Sequence, residues 1–480
     1  MANAPAIIWF RQDLRTRDNP ALTHAYQNSL PVLPVFIHDF EEAGSWAPGS
    51  ASKWWLYHAL KHLDNELQGH LTLAKGKALD TLFNLIKESG AQYVFWNRCY
   101  EPWRVERDKE IKSALAERGI TVESFNGCLL YEPWNCLKDN GEPYTVFSPF
   151  YKYGCLKRHG DPPKPQNRPE RLTYADECQG MSLEDLDLLP KHKWYKKLES
   201  YWTPGEKGAQ DQLDLFLKEK LHDYKQGRDR PDKEKTSRLS PHLHWGELSP
   251  RDVWHACLGA AQNKDNEKNI WKFLAELCWR EFSYNLLYYF PDLPEENFKE
   301  KFNDFPWEKR PEDLKAWQKG NTGYPVVDAG MRQLYEEGYM HNRVRMIVGS
   351  FLVKDLRIHW REGEEWFWDK LVDADLASNS ASWQWIAGSG ADAAPYFRIF
   401  NPILQSKKFD PDGSYIRKYV PELKNLASPH IHAPWEAPDE ALEKAGIVLG
   451  KTYPWPIVDH ARERDKAMRA FQSLKKSESA

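Results

Sequence analysis

Residues 373–402, DADLASNSASWQWIAGSGADAAPYFRIFNP, are the most informative stretch of this chain. Two carboxylates, Asp373 and Asp375, open it, and Asn379 follows one helical turn after Asp375. Trp383 and Trp385 then stand among Ala, Ser and Gly, and Arg398 comes shortly before Asn401-Pro402. Small residues let a flat ligand approach the backbone, and an indole gives it a rigid face to stack on. Core packing alone does not account for Asp and Asn spaced through an aromatic run.

Outward from this stretch the two halves of the chain read differently. Residues 1–130 alternate the short apolar runs AIIWF, PVLPVFI, LTLAKG, YVFWN and VESFN with helical segments such as SKWWLYHALKHLDNELQ and ALDTLFNLIKESG. That alternation predicts an α/β domain with a parallel five-stranded sheet covered by helices. No GxGxxG follows the first run, so a dinucleotide site is not indicated there. Residues 131–205 are rich in proline and charge, as in HGDPPKPQNRPERL, and read as an interdomain linker over the surface. Residues 206–480 carry helical periodicity, which predicts an all-α C-terminal domain holding the chemistry.

A chain of 480 residues with 41% hydrophobic content has room for two or three globular domains. No apolar run approaches the roughly eighteen residues of a membrane span, and MANAPAIIWFRQDLR is not a signal peptide. A cytoplasmic protein with no membrane partner is expected. The seven cysteines are odd in number and scattered without a CxxC pair, which fits reduced thiols. None follows Cys278, so a Cys-ligated iron–sulfur cluster in the C-terminal half is excluded, and no metal is expected. The formal net charge of −4 gives no hint of nucleic acid, yet basic clusters at 341–361 and 398–418 suit phosphate contacts.

Three further motifs carry chemistry. In TSRLSPHLHWGELSPRDVW (236–254), the hydroxyls of Thr236, Ser237 and Ser240 and the charge of Arg238 suit a pyrophosphate at a helix start, or a plain helix cap. In FLAELCWREFSYNLL (273–287), Glu276, Trp279 and Arg280 fall at i, i+3 and i+4 on one helix face. The same spacing places Asn342, Arg345 and Met346 together in GYMHNRVRMIVGSF (338–351), where the methionine reads as core filler or as part of a site.

Together with WFRQDLRTRDNPAL (9–22), these motifs resemble the photolyase/cryptochrome family over nearly the whole chain, and most closely the bacterial cyclobutane pyrimidine dimer photolyases. The resemblance implies an all-α FAD-binding domain. Tyr224, Thr236, Ser237, Arg238, Leu239 and Ser240 would hold the cofactor, together with Arg280, Arg345, Asp373, Asp375 and Asn379. It implies UV-damaged DNA as partner, gripped by Trp279, Arg280, Asn342, Arg343, Trp385, Arg398 and Gln405. The dimer would lie against Glu276, Asn342 and Met346, with Asn379 facing flavin N5. Trp383, Trp360 and Trp307 match the family's electron relay.

The implied activity is that of a monomeric deoxyribodipyrimidine photo-lyase, a flavoprotein that repairs DNA under blue light. An electron from photoexcited reduced FAD splits the dimer. Two alternatives stand beside it. A cryptochrome photoreceptor is disfavoured by Asn379, because plant cryptochromes carry an aspartate there and an amide supplies no acidic proton. A (6-4) photolyase needs a histidine pair where Asn342 and Met346 stand, and His341 is one position off. A second, antenna chromophore is expected, methenyltetrahydrofolate or a deazaflavin. In YVFWNRCYEPWRVERD (93–108), Trp103-Arg104 replaces the Asn–Glu pair that contacts folate in the enterobacterial type, so that mode of binding is not expected.

Overall fold

The computed structural model describes residues 4–261, 264–393 and 397–477. Five strands, β1 (Ala6–Phe10), β2 (Val32–His38), β3 (Thr72–Lys75), β4 (Tyr93–Asn97) and β5 (Thr121–Phe125), form a parallel sheet in the order β3-β2-β1-β4-β5. They coincide with the five apolar runs. The central strand β1 is buried along its whole length, which is why AIIWF is apolar at every position and does not alternate. Its Ile7 pairs with Leu33 on one side and Val94 on the other.

Helices α1 (Pro20–Gln27), α2 (Ser50–Glu66), α3 (Ala78–Ser89) and α4 (Pro102–Ala116) connect the strands. Asn19 starts α1 by accepting from the Leu22 amide at 3.2 Å, and Gly90, in the left-handed region at φ 69°, ends α3. Leu82 and Leu85 of α3, and Ile111 and Leu115 of α4, share a core with Trp9, Trp96, Leu33 and Val35. The proline-rich connection covers the edge strand β3, where the Met181 amide donates to the Leu73 carbonyl at 2.8 Å.

The chain forms two compact units. The first comprises residues 1–222, 237–291 and 372–377, and the second residues 223–236, 292–371 and 378–480. The first unit holds the sheet and the long helix Lys264–Tyr289. That helix is tied to the sheet's own chain at Glu281, whose carboxylate accepts from the Leu130 amide at 2.8 Å. The second unit is built from helices, and none of the five strands lies in it. No helix among the described residues is long and apolar enough to cross a membrane. All seven cysteines are free and buried.

Candidate active site

In the first unit, Glu276, Trp279 and Arg280 are half-buried on one face of Lys264–Tyr289, while Leu277 and Cys278 between them face the core. Lys272, one turn earlier, pairs with Glu276 at 2.7 Å. Trp279 stacks on Phe147, with ring centroids 3.8 Å apart and planes 10° from parallel. Phe147 lies in the proline-rich connection and was no part of the predicted site. Arg280 donates to the Cys128 carbonyl at 2.9 Å and to Glu281 at 3.1 Å, and its guanidinium covers the Tyr284 ring.

Asp375 is the charged centre of a buried cluster in this unit. The Tyr284 hydroxyl donates to Asp375 Oδ2 at 2.5 Å, and His244 Nδ1 stands 3.4 Å from the same oxygen. Burial opposes the charge. The His244 contact, the Arg280 guanidinium and the Tyr284 hydroxyl outweigh it, and hold the carboxyl well below the usual carboxylate range. Asp373 accepts from Ser240 Oγ at 2.6 Å, so two motifs far apart in sequence meet in one hydrogen bond. The helix after the hydroxyl-rich loop, Ser240–His244, is a single turn, and no side chain caps it. Arg238 just before it takes a left-handed φ of 56° and lays its guanidinium 4.1 Å from the Trp202 ring centroid. Gln212 donates to the Ser237 carbonyl at 2.7 Å, and Leu239 is buried.

In the second unit, residues 378–387 of the helix Leu376–Ala387 present Asn379 and Trp383 on one face. Asn379 Nδ2 donates to the Glu364 carbonyl at 3.1 Å. Trp383 is buried against Phe367 and Trp317, at centroid distances of 5.0 and 6.3 Å. Gly363 makes room for it, since a Cβ there would lie 2.2 Å from Trp383 Cη2. Trp360 is fully buried and donates to Asn297 Oδ1 at 2.9 Å, whereas Trp307 is half-buried. Trp385 lines a small pocket with Lys354, Phe397, Arg398 and Phe400.

Asn342 opens the helix Asn342–Ser350 and is exposed. Arg343 pairs with Asp229 at 2.8 Å and points a second nitrogen at Met346 Sδ, 3.4 Å away. Arg345 donates to the Met340 carbonyl at 2.8 Å. His341 is buried and caps this helix by accepting from the Arg343 amide at 3.2 Å, and burial pushes its imidazole down to about 4. It is therefore a neutral cap at neutral pH. Tyr224 is buried in this unit, Thr236 and Gln405 are half-buried, and Arg398 is exposed.

Residues 6–170 match the model of the DNA photolyase family, and residues 273–473 match that of the FAD binding domain of DNA photolyase. The chain is 50% identical to the deoxyribodipyrimidine photo-lyase of Agrobacterium fabrum over 99% of each chain. This chain belongs to the photolyase/cryptochrome family. Its backbone superposes on the crystal structure of a bacterial class III photolyase from Agrobacterium tumefaciens with a TM-score of 0.95, at 49% identity over 99% of this chain and 98% of that one. Cryptochrome-1 of Arabidopsis thaliana is 38% identical over 96% of this chain and 69% of its own length. The match over 273–473 makes FAD the cofactor of this photolyase-family chain.

The residues present fit that cofactor. Asn379 donates one of its two amide hydrogens to a backbone carbonyl, which fixes the orientation of its side chain. Beside it, Glu364 is fully buried. Its Oε1 accepts from Ser380 Oγ at 2.5 Å, while Oε2 has no hydrogen-bond partner among the described residues. An orphaned buried oxygen calls for an explanation such as a polar ligand atom. Sequence reading missed Glu364, Tyr284 and His244. The signal for Glu364 was present, because Trp360, Gly363, Glu364 and Phe367 recur at i, i+3, i+4 and i+7 and are all buried.

Glu364 also sets a pH dependence. Burial raises its carboxyl from an ordinary 4.5 to about 8, against the opposing effects of Ser380 and Arg361. Between those values the folded chain holds a proton that the unfolded chain has lost. Stability contributed by the neutral acid is complete below 4.5 and is lost as pH rises through about 8. Glu364→Gln should flatten that part of the decline. Urea unfolding of both proteins across this range checks it: equal slopes would show that Glu364 is already ionised in the fold.

Proposed function

We propose that this chain is a light-dependent DNA repair lyase that splits cyclobutane pyrimidine dimers. The observation that carries the reading is the helix Leu376–Ala387, which sets Asn379 and Trp383 on one face with Trp385 two residues on. FAD, when bound, supplies light absorption and one-electron chemistry. The protein's own groups bind, orient and shield. Trp279 and Trp385 offer flat faces to the extruded pyrimidine dimer, and Glu276 offers a carboxylate acceptor for its N–H groups. Asn342 and Met346 supply an amide and a soft apolar contact, without an acid–base pair. Arg343, Arg398 and Gln405 would contact the strand that carries the lesion. Trp383, Trp360 and Trp307 would pass electrons inward to restore the reduced cofactor.

Asn379 favours repair over signalling, because an amide has no acidic proton to give the reduced cofactor. His341, neutral and committed to capping a helix, is not available as the acid of a (6-4) mechanism. The reading includes an antenna domain at 1–130, a linker at 131–205 and a catalytic domain at 206–480, acting as a cytoplasmic monomer without a metal. A second chromophore, methenyltetrahydrofolate or a deazaflavin, belongs to it. An α/β sheet takes ligands at the carboxyl ends of its strands where the order reverses, here between β1 and β4. Arg11, 2.6 Å from Asp108, and Arg104, over the Trp103 ring, stand beyond those ends.

Glu276→Ala tests the substrate assignment. The lost charge-assisted hydrogen bond should weaken binding of dimer-containing DNA by roughly 1.5–3 kcal/mol and leave the flavin spectrum unchanged. Titration of a labelled oligonucleotide reads the first, absorption spectroscopy the second. Unaltered affinity would remove Glu276 from the lesion site.

A further inference from the structure

The outer part of the tryptophan relay contains a third ring. Among the described residues, Trp307 pairs ring to ring with Phe305 and His359, and Trp360 with His359. His359 stands against both. Its imidazole centroid is 5.0 Å from that of Trp307, edge to face at 64°, and 5.4 Å from that of Trp360, tilted by 30°. The placement is fixed from two directions. His359 Nδ1 accepts from the Arg361 amide at 3.2 Å and caps the helix Trp360–Lys370. The Glu308 amide, next to Trp307, donates to the Arg357 carbonyl at 2.8 Å, so the two chain segments run together. Arg357 is buried at φ 53° and pairs with both Glu308 and Glu463, which locks the segment that carries His359.

We propose that His359 is the bridge for the outer electron hop, the ring through which Trp307 reduces oxidised Trp360. The inference rests on the relay reading given above. In the step, one electron leaves Trp307 and fills the hole on Trp360. Trp360 returns to its neutral form and Trp307 becomes the radical cation, with no bond made or broken. Light absorbed by bound FAD supplies the oxidising equivalent, drawn through Trp383. Tunnelling falls off steeply with the width of the gap, and a π-system in contact with donor and acceptor narrows it.

Two features suit His359 to bridging and not to accepting a proton. Its Nδ1 lone pair is engaged by the Arg361 amide, which leaves the other nitrogen protonated. Burial, with Arg361 nearby, pushes the imidazole down to about 4, so at neutral pH no positive charge stands between two indoles that must each carry one. The indoles have no base either. Trp360 donates to an amide oxygen of Asn297, and no acceptor faces Trp307 Nε1 among the described residues. The hole therefore keeps its proton and stays mobile.

The test uses the FAD-loaded full chain and flash photolysis, following tryptophan-radical absorption after excitation of oxidised flavin. Trp307→Phe comes first. If it leaves photoreduction unchanged, the relay reading fails and the bridge with it. His359→Asn keeps a side-chain cap but removes the ring, and His359→Phe keeps a ring but removes the cap. The expected result is an outer hop slowed several-fold in His359→Asn, with thermal stability near wild type, and a rate close to wild type in His359→Phe despite the lost cap. A wild-type hop in His359→Asn overturns the proposal while leaving the relay intact. Equal slowing in both variants overturns it too, because the rate then follows the cap and not the ring.

Discussion

Replacing Trp383 with phenylalanine should slow photoreduction of oxidised FAD more than roughly tenfold, equivalent to at least ~1.4 kcal/mol of added barrier. Repair by chemically reduced protein should be spared. Phenylalanine is far harder to oxidise than indole, so the first electron has no easy donor. The fold should survive the change. Trp383 is 4% exposed and rests on Gly363, Phe367 and Trp317, and a smaller ring leaves a cavity without a clash. The cost of that cavity is about 1–2 kcal/mol. Continuous blue illumination with an external reductant reads the photoreduction rate, and a thermal melt reads the fold. A wild-type rate would place the entry point of the electron elsewhere.

The largest effect on stability is expected at Asp375. Its carboxylate accepts from Tyr284 and faces His244, with Arg280 close by. Asp375→Ala leaves those donors buried around an absent anion, which should cost about 3–5 kcal/mol, the loss typical when one partner of a buried charge pair is removed. Tyr284→Phe takes away one neutral donor and should cost less, about 1–3 kcal/mol, mostly for the acceptor it strands. Urea unfolding of the two variants orders them. Equal losses would show that the charge on Asp375 matters no more than one hydrogen bond. The FAD content of Asp375→Ala should fall as well, because Asp375 belongs to the residues proposed to hold the cofactor.

The parallel sheet was legible because a strand buried on both faces must be apolar throughout, and AIIWF or YVFWN can be little else in a chain that alternates with amphipathic helices. The helix face of Glu276, Trp279 and Arg280 was legible for the same kind of reason: their spacing fixes their direction once the helix is granted. What pairs with that face was not. Phe147 reaches Trp279 from a segment whose composition reads only as a connection, and no local pattern announces a stack between residues so far apart in the chain. The hydroxyl-rich loop at 236–240 shows a different limit. Its residues suggested a helix start, but the helix is one turn long, and the Ser240 hydroxyl is spent on Asp373 instead of a cap. His359 opens HWREGEEWFW among charged neighbours, and a sequence gives little sign of which ring lies between two indoles.

The central claim is light-driven repair of one lesion class. Oligonucleotides carrying a single cyclobutane dimer, or a single (6-4) photoproduct, are each given to the FAD-loaded protein under the same near-ultraviolet lamp and in darkness, and the products are separated by chromatography. Asn342 and Met346 in place of a histidine pair, with His341 held neutral in a helix cap, predict conversion of the cyclobutane dimer in the light alone and none of the (6-4) product. Dimer repair in darkness, or (6-4) repair at a comparable rate, would contradict the account.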